Sequence, residues 1–308
     1  MILCCGEALI DMIPETDSAG QTKYTPHTGG AVFNTAIGLG RLGASVGLLT
    51  GISTDGFGQQ LEAALTASKV DTGFLIHSDQ PSTLAFVHLT DGQAKYSFYD
   101  EKSASQAISP DQLPKLPEEV GLLFFGGISL CNAPAADVYA SLCKREAGQR
   151  LIMIDPNIRP GFAHDESSYR TRMDQMLSQA DIVKISDEDL EWLRPGPADL
   201  MQKVQDLLAS GPSLVLLTRG GDGATGVTRA GLTVSAPVNK VNVVDTVGAG
   251  DTFNAGVLSK LEALDLADRA ALGAITEEQL ANVLQYGAKV AAVTVSRAGA
   301  NPPWASEL

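Results

Sequence analysis

Asp245-Thr246-Val247-Gly248-Ala249-Gly250-Asp251-Thr252-Phe253 sets two glycines between an extended-looking run, Lys240 to Val244, and a helical pattern. The pattern is carried by Phe253, Val257, Leu258, Leu261 and Leu264, apolar positions spaced like one helix face. A glycine-rich turn therefore leads into a helix start. Glycines let the backbone come close to an anion, and the free amides and dipole of a helix N-terminus supply partial positive charge. Asp251 stands beside those amides, where a site that merely held phosphate would repel it. The position suits a carboxylate that takes a proton from an attacking hydroxyl, because phosphoryl transfer draws most of its rate from positioning and charge stabilisation. The competing local reading is that Asp251 caps its helix.

Outward from this turn, short apolar runs alternate with helical patterns, the signature of βαβ units and a mainly parallel sheet. Strands are predicted at Ile2 to Cys5, Val46 to Thr50, Leu122 to Phe125, Leu151 to Ile154, Ile182 to Ile185 and Leu214 to Thr218. Helices are predicted at Val32 to Leu42, Phe57 to Ala67, Ala135 to Lys144, Tyr169 to Leu177, Leu200 to Leu208, Thr252 to Leu264 and Glu277 to Ala292. Thr276-Glu277-Glu278-Gln279 has the form of a capping box for the last of these. Two stretches have a period of two instead, Ala8 to Thr25 and Leu84 to Tyr99 around the turn Asp91-Gly92. They could form one small sheet, a lid, beside the large α/β domain. No repeat or linker divides the chain, so a single domain over residues 1–308 is expected, with a small lobe from about 8–25 and 84–99.

At 308 residues, 44% hydrophobic and 19% charged, the chain has the balance of a globular protein able to enclose a sizeable site. Its net charge of −14, with Lys and Arg scattered, excludes a phosphate-backbone stripe and argues against nucleic acid as a partner. The longest apolar stretch, around Val120 to Cys131, is broken by glycines and falls short of the roughly 18 residues of a membrane span. The first residues carry no basic leader, so a cytoplasmic protein without a membrane partner is expected. Cys4, Cys5, Cys131 and Cys143 lack CxxC spacing and read as buried, inert thiols. Histidines 27, 77, 88 and 164 occur singly, which argues against zinc catalysis. There is neither a GxxxxGK[ST] loop nor an HRD-like loop, so P-loop and protein-kinase chemistries are excluded.

Asp-Thr-x-Gly-Ala-Gly-Asp-x-Phe resembles the C-terminal signature of the ribokinase-like (PfkB) carbohydrate kinases, and further motifs follow in family order along the chain. The resemblance implies a ribokinase-like three-layer sandwich with a mainly parallel central sheet and a small β-sheet lid. It makes Asp251 the catalytic base and Gly248, Ala249 and Gly250 the anion hole. Gly29-Gly30-Ala31-Val32-Phe33-Asn34 resembles the N-terminal signature, with Gly29, Gly30 and Asn34 lining the sugar site. The formal GxGxxG at Gly38, Gly40 and Gly43 ends a helical pattern and precedes a strand, the reverse of a dinucleotide fingerprint, and a helix stop at Gly43 is the better reading.

The same resemblance raises Asp11, just past the first strand, to a sugar-hydroxyl acceptor, against the default of an exposed turn carboxylate. Alternation puts Tyr96 and Phe98 on one face of their strand and Tyr99 on the other, so one face could cover a sugar ring or simply pack the hairpin. Asp155-Pro156-Asn157-Ile158-Arg159 resembles a family segment that makes Arg159 a contact to substrate or transferring phosphoryl and places Asn157 nearby on the nucleotide side; an aromatic residue usual downstream is matched only by an early Phe162. Lys184-Ile185-Ser186-Asp187-Glu188-Asp189 occupies the place of an Asn-x-x-Glu that supports Mg²⁺ through water. Lys184 and Ser186 are then nucleotide-side contacts and Asp189 or Glu188 the metal's carboxylate, with an acidic helix start as the competing explanation.

Thr218, Gly220 and Gly223 resemble the nucleotide loop, though a glycine-rich hairpin turn would look the same; Asn282 and Gly287-Ala288 lie where relatives pack adenine. Ser296 to Ala300 resembles a loop that in some relatives contributes to a K⁺ site. The implied ligands are ATP, Mg²⁺, a monosaccharide and in some members K⁺, and family members often form homodimers through the lid. Tyr96-Ser97-Phe98-Tyr99-Asp100-Glu101 and Gly299-Ala300-Asn301-Pro302-Pro303-Trp304 are similar to bacterial fructokinases, so fructose is the expected acceptor. 2-Keto-3-deoxygluconate, ribose or a nucleoside are the alternatives, and outside this class stands a sugar- or nucleotide-binding sensor without catalysis.

Overall fold

Apolar runs buried on both faces make strands, and the computed structural model, which describes residues 1–16, 20–90 and 93–308, arranges them in two sheets. In chain order the strands are β1 (Ile2–Cys5), β2 (Leu9–Thr16), β3 (Thr22–Gly29), β4 (Val46–Ser53), β5 (Leu75–Ser78), β6 (Leu84–Thr90) and β7 (Gln93–Tyr99). Then follow β8 (Leu122–Gly126), β9 (Leu151–Asp155), β10 (Ile182–Ser186), β11 (Leu214–Thr218), β12 (Ala224–Thr228) and β13 (Thr233–Ala236). The helices are α1 (Ala31–Leu42), α2 (Gly56–Ala67), α3 (Ala135–Glu146), α4 (Glu166–Gln179), α5 (Asp187–Leu193), α6 (Leu200–Ser210), α7 (Ala249–Ala263), α8 (Arg269–Gly273) and α9 (Glu277–Val295).

The large sheet runs β13-β12-β11-β10-β9-β8-β1-β4-β5, with every pairing parallel except β11–β12 and β12–β13, so that β12 alone is reversed. Alternate residues of β1 face opposite layers: Ile2 and Cys4 join a core with α1, α2, α7, α8 and α9, whereas Leu3 and Cys5 join one with α3 to α6. Helices thus cover both faces, the three-layer sandwich expected. All four cysteines are buried and free, and burial pushes each thiol upward in pKa. Among the described residues no helix is long and apolar enough to cross a membrane.

The two period-two stretches pair into one small sheet, ordered β3-β2-β6-β7. Its joint is parallel, with Ile10 beside Leu84, and its inner face packs Leu9, Ala85, Tyr96 and Phe98 against Ile128 and Phe162. The expected Asp91-Gly92 turn lies outside the described residues.

Several elements differ from expectation. Helix α7 starts at Ala249, not Thr252, because Ala249, Gly250 and Asp251 are helical without adding to the apolar stripe. Strands β5, β12 and β13 and helices α5 and α8 lie outside the predicted elements; all are short, and the strands sit towards the sheet margins. The Thr276–Gln279 capping box forms, Thr276 Oγ1 accepting from the Gln279 amide at 3.2 Å and Gln279 Oε1 from the Thr276 amide at 2.9 Å.

Gly43 ends α1 in the left-handed region at φ 88°, donating to the carbonyls of Gly40 and Leu39. The other glycines of that motif are packing devices. A Cβ at Gly38 would meet Ala255 of α7 at 2.7 Å, and one at Gly40 would collide with the Ser68 carbonyl. Gly40→Ala should therefore destabilise by about 1–3 kcal/mol through overpacking. Gly121→Ala, which meets nothing within 4 Å, should stay within about 0.5 kcal/mol. Urea denaturation of the two variants checks the contrast.

Candidate active site

The parallel strands of the large sheet bring their C-terminal ends to one edge, the side on which open α/β sheets bind ligands. Residues just beyond β1, β8, β9, β10 and β11 meet the N-terminus of α7 there, around two adjoining cavities that share Thr246, Ala249 and Gly250. One, of about 350 Å³, is lined by Asp11, Gly30, Asn34, Tyr96, Phe98, Asn157, Arg159, Lys184, Ser186, Glu188, Asp189 and the Gly248–Asp251 turn, among others. The other, of about 610 Å³, is lined by Thr218, Gly220, Gly223, Val241, Val243, Phe253 and the α9 residues Ala288, Ala291, Ala292 and Val295, among others.

Asp251 lies in the first turn of α7, 8% exposed. Gly248 caps that helix at φ 77°, a left-handed conformation that glycine adopts without strain. The amides of Gly250 and Asp251 find no acceptor among the described residues, while that of Ala249 reaches Thr246 O at 3.3 Å. The turn thus presents bare N–H groups at a helix N-terminus. Asp251 does not cap its helix. Its Oδ2 accepts from Asn34 Nδ2 at 2.9 Å and its Oδ1 from Asn157 Nδ2 at 3.4 Å. Burial drives its pKa up to about 7, against the Asn34 hydrogen bond, which favours the charged form.

Asp11 lines the smaller cavity, and burial raises it to about 6, opposed by the Arg159 charge. Gly29 lies behind it, where any side chain would strike the Asp11 carboxylate. Gly30, at φ 107°, forms the N-cap of α1. Tyr96 and Phe98 stack at 5.8 Å on the cavity face, and Phe98 meets Phe162 at 4.7 Å, so the early aromatic does reach the site. Arg159 Nη1 donates to the carbonyls of Asn157 and Ile158. Asn157, expected towards the nucleotide, stands against Asp251 in the smaller cavity with φ 43°.

Thr218, Gly220 and Gly223 line the larger cavity; their loop is also the hairpin turn from β11 to β12, closed by Arg219 N donating to Gly223 O. Asn282 lines neither cavity. Six residues before Ala288, it is turned about 120° away on a helix of 3.6 residues per turn. Ser186 caps α5, accepting from the Asp189 amide at 3.0 Å, so the acidic stretch is indeed a helix start. Asp189 Oδ1 accepts from the Ile158 amide at 3.1 Å, and burial raises its pKa to about 6. Among the described residues no three His, Cys, Asp or Glu converge as a metal site.

Glu7 and Asn254 carry no local signal in the sequence, and Asp155, which opens the Asp155–Arg159 segment, is given no role of its own there. Glu7 is 3% exposed and accepts from the amides of Ala31 and Ser129, fastening the start of α1 to the loop after β8. Asp155 accepts from Lys184 Nζ at 2.9 Å and from Asn254 Nδ2 at 2.7 Å, all three side chains buried. Burial works to lower the Lys184 pKa, but Asp155 holds it above its ordinary value.

Residues 1–307 match the pfkB family of carbohydrate kinases. A fructokinase of Rhizobium leguminosarum bv. trifolii is 45% identical over 287 residues, 92% of this chain and 86% of that protein. The structure of a Xylella fastidiosa fructokinase with bound ATP superposes with a TM-score of 0.88 at 29% identity, covering 97% of this chain and 93% of that one. An uncharacterized sugar kinase of Pyrococcus horikoshii in complex with ATP gives 0.84 at 26% identity, covering 100% and 97%. The chain belongs to the pfkB family of carbohydrate kinases, and its fold is ribokinase-like. It is a sugar kinase.

Asp251 also makes stability depend on pH. Its folded pKa of about 7 exceeds the unfolded value, so the folded state binds the proton more readily and this stability is lost as pH rises through about 7. Comparing Asp251→Asn with wild type by thermal unfolding, the variant should gain Tm relative to wild type on going from pH 5 to pH 8.

Proposed function

We infer that the protein transfers the γ-phosphoryl group of ATP to a primary hydroxyl of fructose, giving fructose 6-phosphate and ADP. The hydroxyl oxygen forms the new bond to phosphorus, the bond from phosphorus to the ADP oxygen breaks, and the hydroxyl proton passes to Asp251. One observation carries this reading: a buried carboxylate and two unpartnered amides occupy the turn where the two cavities meet. The smaller cavity takes the sugar, with Asp11 accepting from its hydroxyls and Tyr96 and Phe98 covering the ring. The larger takes the nucleoside, its base against Val241, Val243 and the α9 alanines. The Gly248–Asp251 amides and Arg159 stabilise the charge on the transferring group.

Asp189 and Glu188, beside the Arg159 end of the smaller cavity, fit a Mg²⁺ held through water, since this ion keeps several waters and needs only one or two carboxylates besides the phosphates. When bound, Mg²⁺ neutralises phosphate charge. The small sheet acts as a lid that keeps water from the phosphoryl group. Its outer face carries Tyr24, Phe86 and Tyr99 in edge-to-face contact, with Tyr99 64% exposed, a surface suited to pairing two copies of the chain.

Asp251 acts only as a carboxylate. In kcat/KM, which reports the free enzyme, activity should rise about tenfold per pH unit below about 7 and level off above it. Asn34→Ala removes a hydrogen bond to the charged form, so this limb should move to higher pH. Asp251→Asn should keep the fold and lose about 10²–10⁴-fold in kcat. Coupled ADP release over fructose, ribose, 2-keto-3-deoxygluconate and a nucleoside tests the acceptor; fructose should give the highest kcat/KM, and another leader would replace it.

A further inference from the structure

Asp155, Lys184 and Asn254 form a charged cluster inside the protein, 1%, 5% and 1% exposed. Register explains their meeting: Val183 lies beside Ile154 in the parallel pair β9–β10, so the next residues, Lys184 and Asp155, are neighbours on one face of the sheet. Helix α7 covers that face and supplies Asn254 from the turn after Asp251. A buried ion pair is poor glue, because desolvation cancels most of its attraction and apolar residues of similar size often serve as well. The cluster therefore calls for another reason to exist.

The position of the ammonium supplies one. A Cβ on Gly250 would stand 3.2 Å from Lys184 Nζ, so the cation lies directly under the glycine of the turn that lines both cavities. Lys184 also lines the smaller cavity. An ammonium has three protons, and Asp155 Oδ2 is the acceptor that the described residues provide, which leaves protons for a ligand. Asn254 Oδ1 is buried without a partner among the described residues, so the amide serves the cluster only by donating to Asp155.

We propose that Lys184 is a catalytic cation that neutralises the migrating phosphoryl group from beneath the turn, and that Asp155 and Asn254 are positioning residues that hold its ammonium there. The inference rests on the phosphoryl-transfer reading above. It adds a full charge to a site otherwise made of amide dipoles and Arg159. It also explains the glycine at position 250 a second way, since a side chain there would crowd the ammonium.

The test compares Lys184→Met, Asp155→Asn and the double variant D155N/K184M by thermal unfolding and by kcat and KM for fructose. Lys184→Met should lower kcat about 10²–10³-fold, the range for losing one charge-stabilising donor, with the sugar KM moving less than about threefold. Asp155→Asn should lower kcat about tenfold or more. The double variant leaves no unpaired charge, so its Tm should return towards wild type while kcat stays at the Lys184→Met level. Recovery of kcat alongside Tm, a loss expressed mainly in KM, or a double variant that does not fold would each overturn the proposal and leave the cluster structural. Turnover retained in Asp251→Asn would instead defeat the phosphoryl-transfer reading itself, so the two failures are distinguishable.

Discussion

The hydrogen bond from Asn34 Nδ2 to Asp251 Oδ2 joins residues 217 apart in sequence, and the site is organised around it. A carboxylate removed from water is costly unless polar groups receive it. Helix α1 holds this residue at two points, because Thr35 Oγ1 also donates to the carbonyl of Asp251. Those contacts need α1 and α7 to approach closely. Gly38 allows this against Ala255, while Gly256 lets α7 settle on Gly287 of α9. Glu7 then fixes the start of α1 from the other side. The small residues of three helices thus determine where one carboxylate points.

The sheet was legible because each parallel strand except the edge strand β5 is covered on both faces and so reads as an apolar run. The elements that the sequence hides lack that property. Strand β12 contains Gly226, whose missing side chain accommodates Leu280 of α9, and its partner β13 alternates buried and exposed residues. Helix α5 is a single acidic stretch whose start depends on the Ser186 cap, and its charges are equally readable as metal ligands. In both cases a tertiary neighbour, not local periodicity, decides the conformation.

The site divides in the same way. The turn at Gly248–Asp251, Asp11, Gly30, Asn34, Tyr96, Phe98 and Arg159 follow motif order and reach one cavity. Asn282 does not, because motif order says nothing about helical phase, and phase decides which α9 residues face the larger cavity. Glu7 and Asn254 are silent, and the role of Asp155 unread, for the opposite reason. Their partners are remote: Ala31 and Ser129 lie 24 and 122 residues from Glu7, and Asn254 lies 99 from Asp155. A buried carboxylate gains its meaning only when the groups that satisfy it are brought together.

Charge balance within the cavity bears on the form of nucleotide that the proposed reaction would take. Burial raises Asp11, Asp189 and Asp251, and in all three the Arg159 guanidinium pulls the other way. At Asp189 and Asp251 the Lys184 ammonium acts the same way and more strongly, so two cations steady these carboxylates in the free protein. A nucleotide arriving without a metal would draw Arg159 towards its phosphates, weaken that support and meet the carboxylates as an anion among anions. In the proposed reaction Asp189 and Glu188 would hold a Mg²⁺ that accompanies the phosphates, and its charge would replace what Arg159 gives up. The acidic lining would thus favour a metal-bound nucleotide over a bare one, and the positive charge brought with it would oppose the burial that raises Asp251.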